Sequence, residues 1–231
     1  MIAVWQSVKS RVDCLLYPAS CLLCEQYHEN SMPWLCNTCV NKLLQDCQIH
    51  QNIIGKDDHS EHAIDVFSGW AFDDSMRLLI HELKYQKHKQ IGAFLGQLIG
   101  SRMRVQEPIS AKTVFVPVPL HKKRIRERGF NQSEMIATGL ASKQKSKVLS
   151  KALIRIVHTA QQVHLDRDGR RRNVAGAFAC TSKDEIHMSN AHFVLVDDVM
   201  TTGATLLECA SALRLAGAHK ISAVTLAFAQ L

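Results

Sequence analysis

Apolar and polar positions change rhythm several times along the second part of the chain. In DDSMRLLIHELKY, Met76, Leu79, Ile80 and Leu83 recur at helical spacing. TVFVPVP (Thr113 to Pro119) is a short apolar run closed by turn residues, and it predicts a strand. NQSEMIATGLASK predicts a helix, with Asn131 placed to cap it. FVLVDD predicts a second strand, GATLLECASALRLAGA a helix that stops at a glycine, and ISAVTLAFA a final strand. Strand, helix and strand at these lengths make a βαβ unit, so the predicted class is α/β with a parallel sheet. IGAFLGQLIG (Ile91 to Gly100) carries glycines at GxxxG spacing between Lys and Arg. It falls short of the ~18 apolar residues that a membrane span needs. It predicts a buried helix that packs closely through small residues.

The pattern before residue 65 is different. Cys14, Cys21, Cys24, Cys36, Cys39 and Cys47 lie there, and only Cys180 and Cys209 follow. The polar stretch QNIIGKDDHSEHAID reads as a linker or loop. The predicted organisation is an N-terminal helix and cysteine module over 1–64, then an α/β domain over 65–231. No repeat or low-complexity tract is visible.

Composition narrows the setting. A chain of 231 residues with 46% hydrophobic and 21% charged residues suits one globular domain plus a small module. The formal net charge of +7 favours an anionic partner: nucleic acid, a phosphorylated metabolite or an anionic surface. The start, MIAVWQSVKSRVDCLLYP, lacks a basic segment followed by an apolar core, so no secretory signal is expected. The expected compartment is the cytoplasm, where thiols stay reduced.

In that setting the spacing Cys21-x2-Cys24 and Cys36-x2-Cys39 predicts a tetrahedral four-thiolate zinc site. Such a closed site is structural, and the metal supplies folding energy to a short segment. Cys14 and Cys47 remain: either one replaces one of the four ligands, or both fill the core.

FVLVDDVMTTGATL (Phe193 to Leu206) is the segment with most chemistry. Ligands of open α/β sheets bind beyond the carboxyl ends of the strands. The predicted strand brings Asp197 and Asp198 to that edge. A helix begins immediately afterwards, and a helix N-terminus favours phosphate. Thr201, Thr202 and Thr205 add hydroxyls, Ala204 follows Gly203, and Gly203 lets the backbone approach an anion. Acids for sugar hydroxyls or Mg2+, next to a phosphate cradle, suit a phosphorylated ribose. The absence of GK[ST] excludes an NTPase P-loop.

Two basic segments accompany it. VPVPLHKKRIRERGFNQSE places Lys122, Lys123, Arg124, Arg126 and Arg128 in a loop after a strand, with Gly129 before the next helix. RIVHTAQQVHLDRDGRRRNVAGAF sets Gly169 among Arg167, Arg170, Arg171 and Arg172. The first could hold pyrophosphate or a nucleic-acid backbone, with a solvated basic turn as the alternative; the second reads as a mobile basic segment, with a charged surface loop as the alternative. Phe130 is the aromatic best placed for stacking on a base, and its alternative place is the core.

VLVDDVMTTGAT closely resembles the phosphoribosyl pyrophosphate (PRPP) motif of type I phosphoribosyltransferases. Taken in order, the two CxxC pairs, ELKY, VPVPLHKKRIRERGFNQ, the segment with Gln161, Leu165, Arg171, Asn173, Ala177 and Phe178, and VLVDDVMTTGAT resemble the ComF/GntX family over nearly the whole chain. The resemblance implies a type I phosphoribosyltransferase-like sheet flanked by helices, with a small zinc module. It gives Asp197 and Asp198 the ribose hydroxyls, directly or near Mg2+. It gives Thr201, Thr202, Gly203, Ala204 and Thr205 the 5′-phosphate. Arg124, Arg128, Gly129, Gln161 and Arg171 would hold pyrophosphate or nucleic acid. It further implies natural competence and DNA uptake, with single-stranded DNA on the cytoplasmic side and a helicase or other uptake protein as partner. Two alternatives stay open: a metabolic phosphoribosyltransferase whose acceptor is not identified, and a PRPP-sensing adaptor without turnover.

Overall fold

The computed structural model describes residues 19–29, 32–55, 63–86, 88–103, 113–157, 176–181 and 190–229. The chain divides into two compact units, Met1–Asp46 and Cys47–Leu231. Gln161 and Arg171 lie outside the described residues, as does Cys14.

In the first unit, strands β1 (Ala19–Ser20) and β2 (Tyr27–His28) pair antiparallel around the turn that bears Cys21 and Cys24. Helix α1 (Asn37–Asp46) starts at the second cysteine pair and buries Leu43. Two-residue strands and a helix with so little apolar face bury too little to be stable alone. Among the described residues of this unit, the paired cysteines are the groups best placed to add a cross-link.

The second unit is built on one sheet of strands β3 (His50–Ile54), β4 (Ile64–Ala71), β5 (Thr113–Pro117), β6 (Lys147–Val148), β9 (His192–Met200) and β10 (Lys220–Phe228). Their spatial order is β3-β4-β10-β9-β5-β6, with every neighbouring pair parallel except β3 with β4. The predicted βαβ unit is β9, helix α6 (Ala204–Leu215) and β10. Fully buried Phe115, Phe193, Val196 and Val224 make the strands nearly continuous in apolar character, as a sheet covered on both faces requires.

Three local expectations change. The stretch QNIIGKDDHSEHAID is not a linker throughout, because its QNII part belongs to edge strand β3. β3 alternates half-buried and exposed positions, which keeps its hydropathy low. The two units meet at Asp46/Cys47 rather than at 64/65, since β3 is paired to β4 in the larger sheet. The basic stretch after β5 is also not a loop. It forms the short helix α4 (Lys122–Arg128), capped by the His121 side chain, which accepts from Lys123 N–H at 3.2 Å. Gly129, at φ 81°, ends it.

Helices α2 (Asp74–Tyr85), α3 (Lys89–Arg102) and α5 (Gln132–Gln144) form at the predicted places. Asp73 caps α2 by accepting from Met76 N–H at 2.8 Å. The GxxxG run becomes α3, packed on α5 at backbone distance. A Cβ on Gly96 would lie 2.3 Å from Ile136 O, and one on Gly139 would lie 2.0 Å from Ala93 O. A small antiparallel ribbon, β7 (Leu153–Arg155) with β8 (Phe178–Cys180), completes the described residues. Among these, no helix is long and apolar enough to cross a membrane.

Candidate functional site

β9 carries both aspartates near its carboxyl end, between β10 and β5. Asp198 is buried and Asp197 half-buried. Asp197 Oδ1 accepts from Ser133 Oγ at 3.0 Å and from Asp198 N–H at 2.9 Å. Asp198 Oδ1 accepts from Val199 N–H at 2.9 Å. Burial, and the neighbouring Asp198 charge, push the Asp197 carboxyl up to about 7, against the smaller opposing pull of the hydrogen bonds and Lys84. Asp198 Oδ2 makes an ion pair with Lys84 Nζ from the last turn of α2.

The predicted phosphate turn follows directly. Thr201 and Thr202 form the bend after β9, and Gly203 caps α6 with φ 74°, a left-handed conformation that costs glycine least. A Cβ on Gly203 would come within 2.6 Å of Ile54 Cδ1, so the end of β3 lies against this turn. Ala204 N–H reaches Thr202 Oγ1 at 3.5 Å. Ala204 is buried, and Thr201, Thr202 and Thr205 are half-buried. The strand, acids, bend and helix N-terminus therefore stand in the predicted order.

The turn after β5 is fixed by the GFN part of its sequence. Val118 N–H donates to Val196 O at 2.9 Å, extending the ladder between β5 and β9. Asn131 Nδ2 donates to Val118 O at 3.0 Å, while Asn131 Oδ1 accepts from Ser133 N–H at 3.1 Å. One side chain thus caps α5 and holds the turn, which also places Ser133 against Asp197. Gln132 Oε1 accepts from Arg128 Nη1.

Arg124 and Arg128 line an open cleft together with Lys84, Tyr85 and Glu127. Arg128 lies over the Tyr85 ring, 5.5 Å from its centroid, and Arg124 meets Glu127 at 3.3 Å. Lys122, Lys123 and Arg126 are exposed on the same short helix. Phe130 is 8% exposed and belongs to the core, whereas Tyr85 is 57% exposed. The aromatic beside the basic residues is therefore Tyr85. Sequence reading missed Lys84, Tyr85 and Ser133. ELKY stood out as a segment, but only the fold brings Lys84 to Asp198.

The cysteine prediction rests on separate geometry. The Sγ atoms of Cys21, Cys24, Cys36 and Cys39 all lie within 4.8 Å of one another, and those of Cys24 and Cys36 are 3.6 Å apart. A tetrahedron with Zn–S bonds of about 2.3 Å needs sulfurs about 3.8 Å apart, so the cluster fits a metal such as zinc. Leu22 N–H donates to Trp34 O at 3.0 Å, which ties the two cysteine turns together. Burial works to raise the Cys21 thiol, but backbone hydrogen bonds at Cys36, Cys24 and Leu23 bring it down to about 6. Burial and the three neighbouring sulfurs push Cys39 up. Cys47 is buried in the second unit, where burial pushes its thiol up to about 11. That is core filling, as one of the two sequence readings held.

Residues 130–230 match the family described as the phosphoribosyl transferase domain. DNA utilization protein YhgH of Salmonella typhi is 35% identical over 154 residues, covering 63% of this chain and 64% of that one. Competence protein F of Haemophilus influenzae is 31% identical over 152 residues, covering 64% and 66%. Competence protein ComFC of Bacillus subtilis is 29% identical over 161 residues, covering 69% and 62%. The chain thus spans somewhat under two thirds of the length of the relatives it matches. The stretch that carries the acid pair and the turn after it thus matches the phosphoribosyl transferase domain, and the chain is similar over about two thirds of its length to proteins named for DNA utilization and competence.

Proposed function

We propose that the second unit binds a phosphorylated ribose, PRPP with Mg2+ or a close relative, at the end of β9. One observation carries the reading: the Asp197–Asp198 pair is followed within a few residues by the left-handed Gly203 that opens α6. The carboxylates suit the 2- and 3-hydroxyls of a ribose, since each can accept hydrogen bonds. The N-terminus of α6 suits the 5′-phosphate. Lys84, Arg124 and Arg128 stand ready for a pyrophosphate, with Gly129 ending the helix that carries the two arginines. Gln161 and Arg171 would add to that group. Mg2+ would screen the charge of the leaving pyrophosphate. The acid pair is not an open seat for that metal, since Lys84 already answers Asp198, so the reading brings Mg2+ in on the ligand.

The role we infer is in competence, acting on imported DNA; competence and DNA utilization are the words in the relatives' names. Exposed Lys122, Lys123 and Arg126 offer a single-stranded DNA a charged, sequence-tolerant contact, with Tyr85 available for stacking. Zinc held by Cys21, Cys24, Cys36 and Cys39 would make the first unit a rigid element for docking an uptake helicase or similar partner.

Isothermal titration of Mg-PRPP into the zinc-loaded chain tests the central reading. Wild type is expected to bind, and Asp198→Asn to bind at least about tenfold more weakly while staying folded, a loss of about 1.4 kcal/mol. Equal affinity in the two proteins would sink the assignment of the acids. Pyrophosphate release on adding DNA or a base would mark turnover, and its absence would favour an adaptor.

A further inference from the structure

Lys84 is not explained by packing alone. It sits on the last turn of α2, its side chain is 24% exposed, and it reaches Asp198, whose side chain is 8% exposed. It also lines the cleft that holds Arg124 and Arg128. A single ammonium therefore stands between a buried carboxylate pair and the place where anionic groups of a ligand would lie.

We infer that Lys84 is the resident counter-ion of the Asp197–Asp198 pair and denies that pair to free divalent cations, reserving it for the hydroxyls of a ligand. The inference rests on the phosphoribose reading for the ligand, but not for the exclusion of metal. Two adjacent carboxylates at the end of a strand would otherwise attract a hard cation strongly. With the ammonium in place, the metal must displace a partly buried ion pair, and breaking such pairs is costly. A neutral diol has no such barrier, because it brings hydroxyl hydrogens to oxygens that the lysine leaves available. When a phosphorylated ligand enters, Lys84 is already on the cleft wall and can share its charge with the incoming phosphates. Lys84 is thus a positioning residue. It sets what the acids bind before any ligand arrives.

The test uses Mn2+ as the probe, without any phosphoribosyl compound. Free Mn2+ is followed by electron paramagnetic resonance during titration into the full chain. Wild type is expected to bind weakly, and Lys84→Met at least about tenfold more tightly, because the substitution removes a unit positive charge beside the carboxylates. Adding Asp198→Asn to Lys84→Met should abolish the gain, which separates this site from background. Lys84→Arg should behave like wild type. Circular dichroism checks that each variant is folded, and Lys84→Gln replaces Lys84→Met should the latter unfold. Equal Mn2+ affinity in wild type and Lys84→Met overturns the proposal. So does a gain in Lys84→Arg as large as in Lys84→Met, because the site would then have opened by shape rather than by charge. A chain that fails to bind PRPP but shows the Mn2+ gain leaves this inference standing. A chain that binds PRPP without the gain removes the inference alone.

Discussion

Asp197 and Asp198 are neighbours in sequence, yet the fold treats them differently. Asp198 has a cation, and Asp197 has a hydroxyl and a backbone N–H. Burial lifts the Asp197 carboxyl from about 3.8 to about 7. A carboxyl raised in the folded state holds its proton there while the unfolded chain has lost it. Its contribution to stability therefore falls as pH rises from about 4 through 7, and levels off above. Asp197→Asn is expected to raise the melting temperature by several degrees at pH 8 and to change it little at pH 4. The same shift at both pH values would mean that Asp197 does not titrate as described. The position of the pair at a strand end was legible in the sequence, because an apolar run leads into two acids and a hydroxyl-rich turn. The lysine was not. Lys84 follows Leu83 in an amphipathic helix and reads there as an ordinary solvent-facing charge. Only tertiary packing brings it to Asp198.

At the scale of elements, the long periodic segments were readable and the short polar ones were not. α2, α5, α6, β5, β9 and β10 follow from spacing alone, because each buries a continuous apolar face. α4 escaped because KKRIRER has one apolar residue, and its cap is a histidine rather than a serine or aspartate. β3 escaped because an edge strand needs only one covered face. The pairing of α3 with α5 makes the strongest claim about elements. Gly139→Ala would set a methyl 2.0 Å from the Ala93 carbonyl, which neither helix can avoid by turning a side chain. A loss of about 3 kcal/mol in urea unfolding is expected, at the upper end of overpacking costs. A loss below about 0.5 kcal/mol would mean that the helices stand further apart. The cysteine turns make a parallel claim for the first unit. Cys39→Ser should leave a chain that no longer retains zinc through a chelator wash, and retention would show that three thiolates suffice.

For the molecule as a whole, charge is the property that reaches beyond any one site. A net +7 is carried in part by Lys122, Lys123 and Arg126, all exposed on one short helix. If single-stranded DNA meets that helix, its affinity should fall steeply with salt, and replacing the three residues by alanine should reduce the log–log slope by about 2. An unchanged slope would move the contact elsewhere on the surface. The sheet order has a different kind of consequence. β10 lies between β4 and β9, yet it follows both in the chain. During synthesis, the strand that carries the acid pair therefore lacks its inner neighbour until Lys220–Phe228 has cleared the ribosome. A nascent chain arrested before Lys220 would hold both acids and the phosphate turn on a half-built sheet, so ligand competence should switch on late and all at once rather than accumulate as the polypeptide grows.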